Sequence, residues 1–224
     1  MSWRTLYTRT MNNLIIYSTP SWITAFTTGK DSGVEVLGLR LEDLALPRQV
    51  HSDNVCWMKE PGRPEQIDAV ITDQPGLCVC VKTADCIPVL LYDTRKRIVA
   101  AVHAGWRGTV ARIVQKTIRQ MQAQSPDDLH AIIGPGISLE WFEVGDEVYE
   151  DFKAEGFPME RIAKKISRWH IDLWEANRWL LEKQGVTDIF VEGTCTRTSE
   201  NFYSARRETL NTGRNYNGIF INSK

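Results

Sequence analysis

Residues 77–108 read LCVCVKTADCIPVLLYDTRKRIVAAVHAGWRG, and this stretch decides the fold class. It holds three strand-like runs, at residues 77–82, 89–92 and 98–102. Apolar runs of this length predict strands that are buried on both faces. The turns between and after the runs carry polar side chains. The stretch therefore predicts a buried sheet with chemically active groups at its strand ends.

Outward from this stretch, the chain continues to alternate strand-like runs with helical patterns. Apolar residues recur at helical spacing over residues 109–122 and 144–152. Asp172 precedes Glu175 by three residues, which predicts a capping box and a helix ending near Gly185. The remaining strand-like runs are residues 14–17, 22–27, 34–39, 69–72, 131–133, 189–191 and 219–221. Many strands with interspersed helices predict an α+β (mixed α/β) fold, without giving the strand order.

Composition is that of an ordinary globular protein of 224 residues, 42% hydrophobic and 25% charged. The net charge of −1 argues against general binding of nucleic acid or membranes. No apolar run approaches the roughly 20 residues of a membrane span. The N-terminal residues lack the apolar core of a signal peptide, so we expect a cytoplasmic protein with reduced cysteines.

Three residues form a candidate metal set: His51, Cys86 and His103. Two imidazoles and one thiolate suit a catalytic zinc, which keeps its fourth position open. The spacing matches no zinc-finger pattern, so the fold would have to assemble the site. On spacing alone, the favoured interpretation is structural: two surface or satisfied histidines and one core cysteine.

A glycine-rich turn, residues 105–108, leads from His103 into the next predicted helix. Free backbone N–H groups at a helix start favour anions, and Arg107 adds a donor fork for phosphate or carboxylate. The alternative is a tight turn without a ligand. Near the C-terminus, Arg206, Arg207 and Arg214 are either phosphate ligands or an ion-paired face.

Several other polar residues flank these segments. Asp85 either hydrogen-bonds a ligand histidine or caps a turn. Asp68 is interpreted as a surface carboxylate at a strand end. His130 and His170 have no partners in sequence and are interpreted as structural.

Ordered motifs across most of the chain resemble one known family. The motifs are QVHS (49–52), TADCIPV (83–89), HAGWRGT (103–109), IGPGI (133–137), FEVGDEV (142–148), DL (172–173), CT (195–196), FYSARR (202–207) and TGR (212–214). In this order they resemble the laccase-domain family. Its members carry the names multicopper polyphenol oxidase and purine nucleoside phosphorylase, and it includes the peptidoglycan editing factor. The resemblance extends over roughly residues 22–221.

The resemblance implies a fold, a metal and an activity. It implies one domain over residues 1–224, with a β-sandwich-like core flanked by helices. It implies zinc bound by His51, Cys86 and His103. The implied reaction is phosphorolysis of adenosine, inosine and methylthioadenosine, with adenosine deamination as a second activity. A purine nucleoside and phosphate are then the partners, and Arg107 joins the three ligands as a candidate catalytic residue.

The chain departs from the family pattern in two places. Relatives have a segment resembling Thr-Arg-x-Gly-Gly-x-Ser, whereas residues 25–33 here read AFTTGKDSG and contain no arginine. Lys30 is a candidate substitute, but lysine cannot make the bidentate contact of arginine. Glu140 and Trp141 stand where many relatives have a cysteine-containing sequence, which we expect to change only packing.

Three other functions stay open at this point. Cys86 and a histidine could form a metal-free nucleophile–base pair, in a hydrolase acting on a peptidoglycan precursor. Copper is disfavoured, because a multicopper centre needs more histidines than the four in this chain. A partner-binding domain with a vestigial site is the non-enzymatic alternative. The oligomeric state is not predicted.

Overall fold

The computed structural model describes residues 9–11, 13–122 and 125–223. The strands are β1 (Arg9–Met11), β2 (Leu14–Ile16), β3 (Ile23–Thr28), β4 (Leu44–Ala45), β5 (Val55–Trp57), β6 (Ala69–Thr72), β7 (Cys78–Thr83), β8 (Ile87–Asp93), β9 (Ile98–Ala104), β10 (Leu129–Ile133), β11 (Glu143–Val144), β12 (Ala163–Lys165), β13 (Trp169–Ile171), β14 (Asp188–Val191) and β15 (Asn215–Ile221). The α-helices are α1 (Trp106–Val110), α2 (Ile113–Met121), α3 (Asp146–Ala154), α4 (Met159–Ile162) and α5 (Leu173–Glu182). Within these ranges, no helix combines the length and apolar character needed to cross a bilayer.

Two six-stranded sheets form the frame. The first has the order β1-β2-β3-β15-β7-β4, and the second has the order β14-β10-β8-β9-β6-β5. Neighbouring strands are antiparallel except for three parallel pairs at the sheet edges, β4 with β7, β5 with β6 and β10 with β14. A third, small sheet has the order β11-β13-β12.

The two large sheets pack face to face, and each is covered on its outer face as well. Val79 and Val81 of β7 point into a core shared with Leu90, Val99 and other residues of the second sheet. The alternate residues of β7, Cys78 and Cys80, pack with the segment around Leu44 on the other side. On the second sheet, alternate residues of β8 and β9 pack against the helices. Burial on both faces explains the continuous apolar runs, and the predicted α+β fold is confirmed.

Two predicted elements differ from the structure. Residues 34–39, predicted as a strand, begin instead with a 3-10 helix (Val34–Leu37), which ends at Gly38 in the left-handed region. Val34 is buried there against the first sheet, so its apolar character serves a covering segment rather than a strand. The helix predicted over residues 109–122 starts three residues earlier and is interrupted at Arg112, whose φ is +62°. The guanidinium of Arg112 bonds the carbonyl of Glu155, which holds it outside the helix.

Half of the capping box predicted at Asp172 is present, because the Asp172 carboxylate accepts the backbone N–H of Glu175 at 2.9 Å. The reciprocal bond is not made: the backbone N–H of Asp172 donates to the Ile162 carbonyl at 2.7 Å, and the Glu175 carboxylate accepts from Arg161 at 2.9 Å. Helix α5 starts at the next residue.

One end of the sandwich collects the candidate residues. The chain passes from β7 of the first sheet to β8 of the second through residues 84–86, so Cys86 lies at the crossing. His103 is the second-last residue of β9 and pairs with Pro88 of β8. His51 lies in the loop between β4 and β5, which are edge strands of different sheets. The frame therefore brings three distant segments to the same edge.

Candidate metal centre

The side chains of His51, Cys86 and His103 come together at this edge. Their ligand atoms all lie within 4.8 Å of one another. The imidazole rings of His51 and His103 meet edge to face, with centroids 4.8 Å apart. His103 is buried, Cys86 is partly buried and His51 is exposed, so the group opens to solvent on the His51 side. It is the one potential metal cluster within the described part of the chain.

One buried carboxylate, that of Asp68, positions both histidines. Asp68 is completely buried at the start of β6. Its Oδ1 accepts from His103 Nδ1 at 2.7 Å, which leaves Nε2 of that ring as the atom available to a ligand. The same carboxylate accepts the backbone N–H groups of Val50, His51 and Ser52, at 3.2, 3.1 and 2.7 Å. These bonds hold His51 at its positive φ of 62°.

The interpretation of Asp68 as a surface carboxylate is wrong. The loop at residues 50–52 folds over the strand end and removes the carboxylate from water. A buried carboxylate must be hydrogen-bonded, and here the bonding groups belong to the ligand-bearing segments themselves.

Asp85 fixes the turn that presents Cys86. It is buried, has a φ of 92°, and bonds no histidine. Its two oxygens accept from the Thr196 hydroxyl and the Arg206 backbone N–H, both at 2.6 Å. The backbone carbonyl of Asp85 accepts the N–H of Ile137 at 2.8 Å. Of the two roles considered from the sequence, the structure shows a turn that is tied to the C-terminal loop.

Gly105 allows the backbone to pass close to the cluster. A Cβ at this position would lie 3.1 Å from Cys86 Sγ and 3.1 Å from His51 Cδ2. This is tighter than ordinary van der Waals contact, so a side chain here would press on two of the three candidate ligands. The glycine of the HAGWRG motif therefore has a steric role beside the cluster.

The cluster is electrostatically polarised. Burial alone would raise the pKa of Cys86, but the charge and hydrogen bonding of His103, together with His51, lower it to about 6. Burial would lower the pKa of His103, but the Cys86 thiolate and the Asp68 carboxylate raise it to about 9. For Asp68 the hydrogen bonds from His103 and Ser52 outweigh burial and bring the pKa to about 2. The arrangement thus favours a thiolate and an ionised carboxylate on either side of His103.

A cavity of about 300 Å³ opens onto the cluster. Its walls combine the three candidate ligands with residues of β7 and of the loop before β15. The lining residues are Gln49, His51, Lys82, Thr83, Ala84, Cys86, His103, Ala205, Leu210 and Arg214. Leu210 is 81% exposed at the rim. The cavity has room for a small organic molecule next to the cluster.

Arg107 lies apart from this cavity. It is exposed, its guanidinium stacks on the Trp106 ring at 4.2 Å, and it is absent from the described lining. The helix that follows the glycine turn, α1, is only five residues long. A role for Arg107 in the reaction stays a prediction.

The remaining predicted residues take structural positions. His130 bonds Asp188 at 2.6 Å and stacks on Tyr92. His170 Nδ1 lies 3.0 Å from the Leu139 carbonyl. Lys30, the candidate substitute for the family arginine, forms an ion pair with Glu208 at 2.5 Å.

The donor set fits a metal ion with three protein ligands. Zinc takes thiolate sulfur at about 2.3 Å and imidazole nitrogen at about 2.0 Å, which places tetrahedral donors roughly 3.3–3.5 Å apart. The donor atoms here all lie within 4.8 Å of one another, and His51 is the exposed member of the set. The bond from His103 to Asp68 is the carboxylate–histidine contact typical of metal sites.

Comparisons with known proteins identify related sequences. A family model described as multi-copper polyphenol oxidoreductase laccase matches residues 29–222. A Bacteroides thetaiotaomicron protein named purine nucleoside phosphorylase is 44% identical over 199 residues, covering 80% of this chain and 74% of the relative. Adenosine deaminase RL5, from an unknown prokaryotic organism, is 40% identical over 202 residues, covering 82% and 77%.

The same fold occurs in solved structures. The crystal structure of YlmD from Geobacillus stearothermophilus superimposes with a TM-score of 0.88 at 24% identity, covering 97% of this chain and 99% of that one. At 24% identity, this similarity shows a shared fold and not a shared activity.

Proposed function

The chain belongs to the multi-copper polyphenol oxidoreductase laccase family, and from this premise we propose that it is a zinc-dependent purine nucleoside phosphorylase with adenosine deaminase activity. The observation that carries the proposal is the His51, Cys86 and His103 cluster at the wall of a cavity. Relatives that are 44% and 40% identical carry the names of these two activities.

Zinc is favoured over a multicopper centre by the histidine count. Two of the four histidines, His130 and His170, are bonded elsewhere. The cluster then offers two imidazoles and one thiolate, a set with an open position in catalytic zinc sites. A multicopper oxidase would need further histidine ligands that this edge of the sandwich does not provide.

Both reactions need a nucleophile delivered to a bound nucleoside. In deamination, water adds at C6 of adenosine and ammonia leaves, giving inosine. In phosphorolysis, phosphate adds at C1′ of the ribose, the bond from C1′ to N9 breaks, and ribose 1-phosphate and the free base form. A zinc ion held by His51, Cys86 and His103 would supply Lewis acidity and a hydroxide nucleophile at neutral pH.

The protein's own residues orient this chemistry. Asp68 orients His103 by accepting a hydrogen bond from its Nδ1–H, so that Nε2 faces the cluster. The same carboxylate holds the backbone of His51. Asp85 holds the turn of Cys86 against the C-terminal loop. Leu210 at the rim offers an apolar surface for the purine ring.

One alternative rests on the polarised cysteine. Cys86 has a pKa of about 6 because of its histidine neighbours, burial opposing the shift, and lies within reach of both. This is also the arrangement of a thiolate nucleophile with an imidazole base. Such an enzyme would hydrolyse a substrate without metal.

The decisive experiment measures bound metal and then incubates the protein with adenosine, with and without phosphate. Adenine that appears only with phosphate shows phosphorolysis, and inosine without phosphate shows deamination. Cys86→Ala should lose bound zinc and both activities, whereas Cys56→Ala, a partly buried cysteine outside the cluster, should keep them. Metal-loaded protein that forms neither product contradicts the proposal, and activity on a peptide substrate that survives a strong chelator supports the thiol hydrolase.

A further inference from the structure

Outside the metal cluster, the charged side chains of the cavity wall all have the same sign. Lys82 and Arg214 line it together with the candidate metal ligands. None of the ten lining residues that the structure describes is an aspartate or glutamate. A cavity with two cations and no carboxylate on its wall attracts anions, and its low-dielectric walls strengthen that attraction.

Lys82 is held in place, yet its charge is uncompensated. It lies on β7, where Gln49 accepts its backbone N–H and donates to its carbonyl, both at 2.8 Å. Among the described residues, no carboxylate lies within ion-pair distance of its ammonium. Burial lowers the pKa of Lys82, and the nearby charges of Arg63, Arg214 and Arg48 lower it further.

Arg214 is fixed by backbone carbonyls instead of a carboxylate. Its guanidinium donates to the carbonyls of Leu210 at 2.9 Å, Gly213 at 3.0 Å and Thr212. Three of its five N–H donors are used in this way, so two stay available on the same rigid fork. The group keeps its full charge at the cavity wall and needs little reorganisation to accept a ligand.

Three other cations near this loop pair with carboxylates, unlike Lys82 and Arg214. Lys30 and Arg207 both pair with Glu208, at 2.5 and 2.9 Å. Arg48 pairs with Glu65 at 3.0 Å. Among the described residues, Lys82 and Arg214 therefore differ from these three neighbours in lining the cavity without a carboxylate partner.

We propose that Lys82 and Arg214 form a subsite for a tetrahedral oxyanion, with inorganic phosphate as the ligand, in the same cavity as the metal cluster. Arg107 is excluded from this role by its position outside the cavity lining. The proposal that phosphate binds here is argued from the residues of the cavity alone. The proposal that this phosphate is the attacking co-substrate rests on the proposed function.

The test is equilibrium dialysis of zinc-loaded protein against radiolabelled inorganic phosphate. Lys82→Met and Arg214→Met should each raise the Kd for phosphate about tenfold or more, because each variant loses one charge-assisted hydrogen bond to the anion. The double variant should show no saturable binding. Lys82→Arg, which keeps the charge, should retain binding. Lys153→Met, an exposed lysine on α3 paired with Glu150, is the matched control. Bound zinc and thermal melting confirm that each variant is folded.

Turnover separates the two proposals. If the wild type forms adenine with phosphate, Lys82→Met should raise the KM for phosphate more than the KM for adenosine. Phosphorolysis that proceeds with unchanged phosphate KM in the double variant overturns the subsite and leaves the proposed function intact. Phosphate binding that depends on Lys82 without phosphorolysis keeps the subsite and rejects the function. If Arg107→Met loses phosphate binding while the double variant of Lys82 and Arg214 keeps it, the assignment of the subsite to Lys82 and Arg214 is overturned.

Discussion

At the scale of single residues, Asp68 is the side chain on which the candidate metal site most depends. One buried carboxylate bonds the ring of His103 and the backbone of the segment that carries His51. We expect Asp68→Asn to weaken zinc binding about 10- to 100-fold, the usual loss when such a partner of a metal-bound histidine is changed. In asparagine only one of the two side-chain oxygens remains as an acceptor. The NH₂ group that replaces the other oxygen would face N–H donors and could not accept from them.

The measurement is zinc affinity by competition with a chromophoric chelator. Asp73→Asn is the matched control, because Asp73 directly follows the same strand but bonds Lys59 at the surface. Equal zinc affinity in Asp68→Asn and the wild type, both folded by circular dichroism, contradicts the assigned role of Asp68.

Gly105 supports a second prediction at this scale. In Gly105→Ala the new methyl group would press on Cys86 Sγ and His51 Cδ2, both 3.1 Å from it. Overpacking of this kind costs about 1–3 kcal/mol, so we expect zinc affinity to fall by roughly fivefold or more. The measurement is the amount of zinc that Gly105→Ala retains after dialysis, with Gly62→Ala as the control. In the control the new methyl meets only the flexible end of Met58. If Gly105→Ala retains as much zinc as Gly62→Ala, the methyl group has not displaced a ligand.

The residues of this site differ in how far the sequence predicts them. His51, Cys86 and His103 follow from ordered motifs, although their spacing alone favours a structural interpretation. Asp68 and Lys82 belong to no motif that signals chemistry. Their roles depend on burial and on the neighbours that other segments supply, and these are set by the fold.

At the scale of elements, the loop between residues 203 and 214 shapes the mouth of the cavity. Its apolar member, Leu210, is 81% exposed and lines the cavity. Burying part of a leucine side chain against a ligand contributes about 1 kcal/mol. We therefore expect Leu210→Ser to raise the KM for adenosine about fivefold while kcat and the melting temperature stay close to wild type. Steady-state kinetics test this, with Ile166→Ser, 62% exposed at a hairpin outside the cavity, as control. An unchanged KM would place the purine elsewhere.

Element boundaries show where local patterns are insufficient. The apolar stripe of residues 109–122 is helical, but the break at Arg112 depends on its contact with Glu155, which is 43 residues away. The N-cap bond at Asp172 is predicted correctly, because its two partners are three residues apart. The Glu175 side chain bonds Arg161 instead of completing the capping box, and that partner is 14 residues away. Local chemistry is readable from the sequence, and distant contacts are not.

At the scale of the whole molecule, sandwich formation is what assembles the site. The continuous apolar runs predict the central strands, because they signal burial on both faces. The strand order is not predictable from them, since β15 inserts between β3 and β7 and bonds residues such as Asn217 to Thr27, 190 positions away. The crossing from one sheet to the other at residues 84–86 places Cys86 beside His103 only after this closure.

A metal that joins three separate segments should stabilise the closed sandwich, and its removal is the last test. A ligand that binds only the folded state at 100 times its Kd contributes about 2.7 kcal/mol. For a chain of this length, that corresponds to a melting temperature higher by roughly 5–10 °C. We expect a strong chelator to lower the wild-type melting temperature by this amount and added zinc, but not magnesium, to restore it. Cys86→Ala, which lacks one ligand, should melt at the same temperature with and without zinc. A wild-type protein that carries zinc yet melts unchanged after chelation would show that the ion is bound away from the junction of these segments.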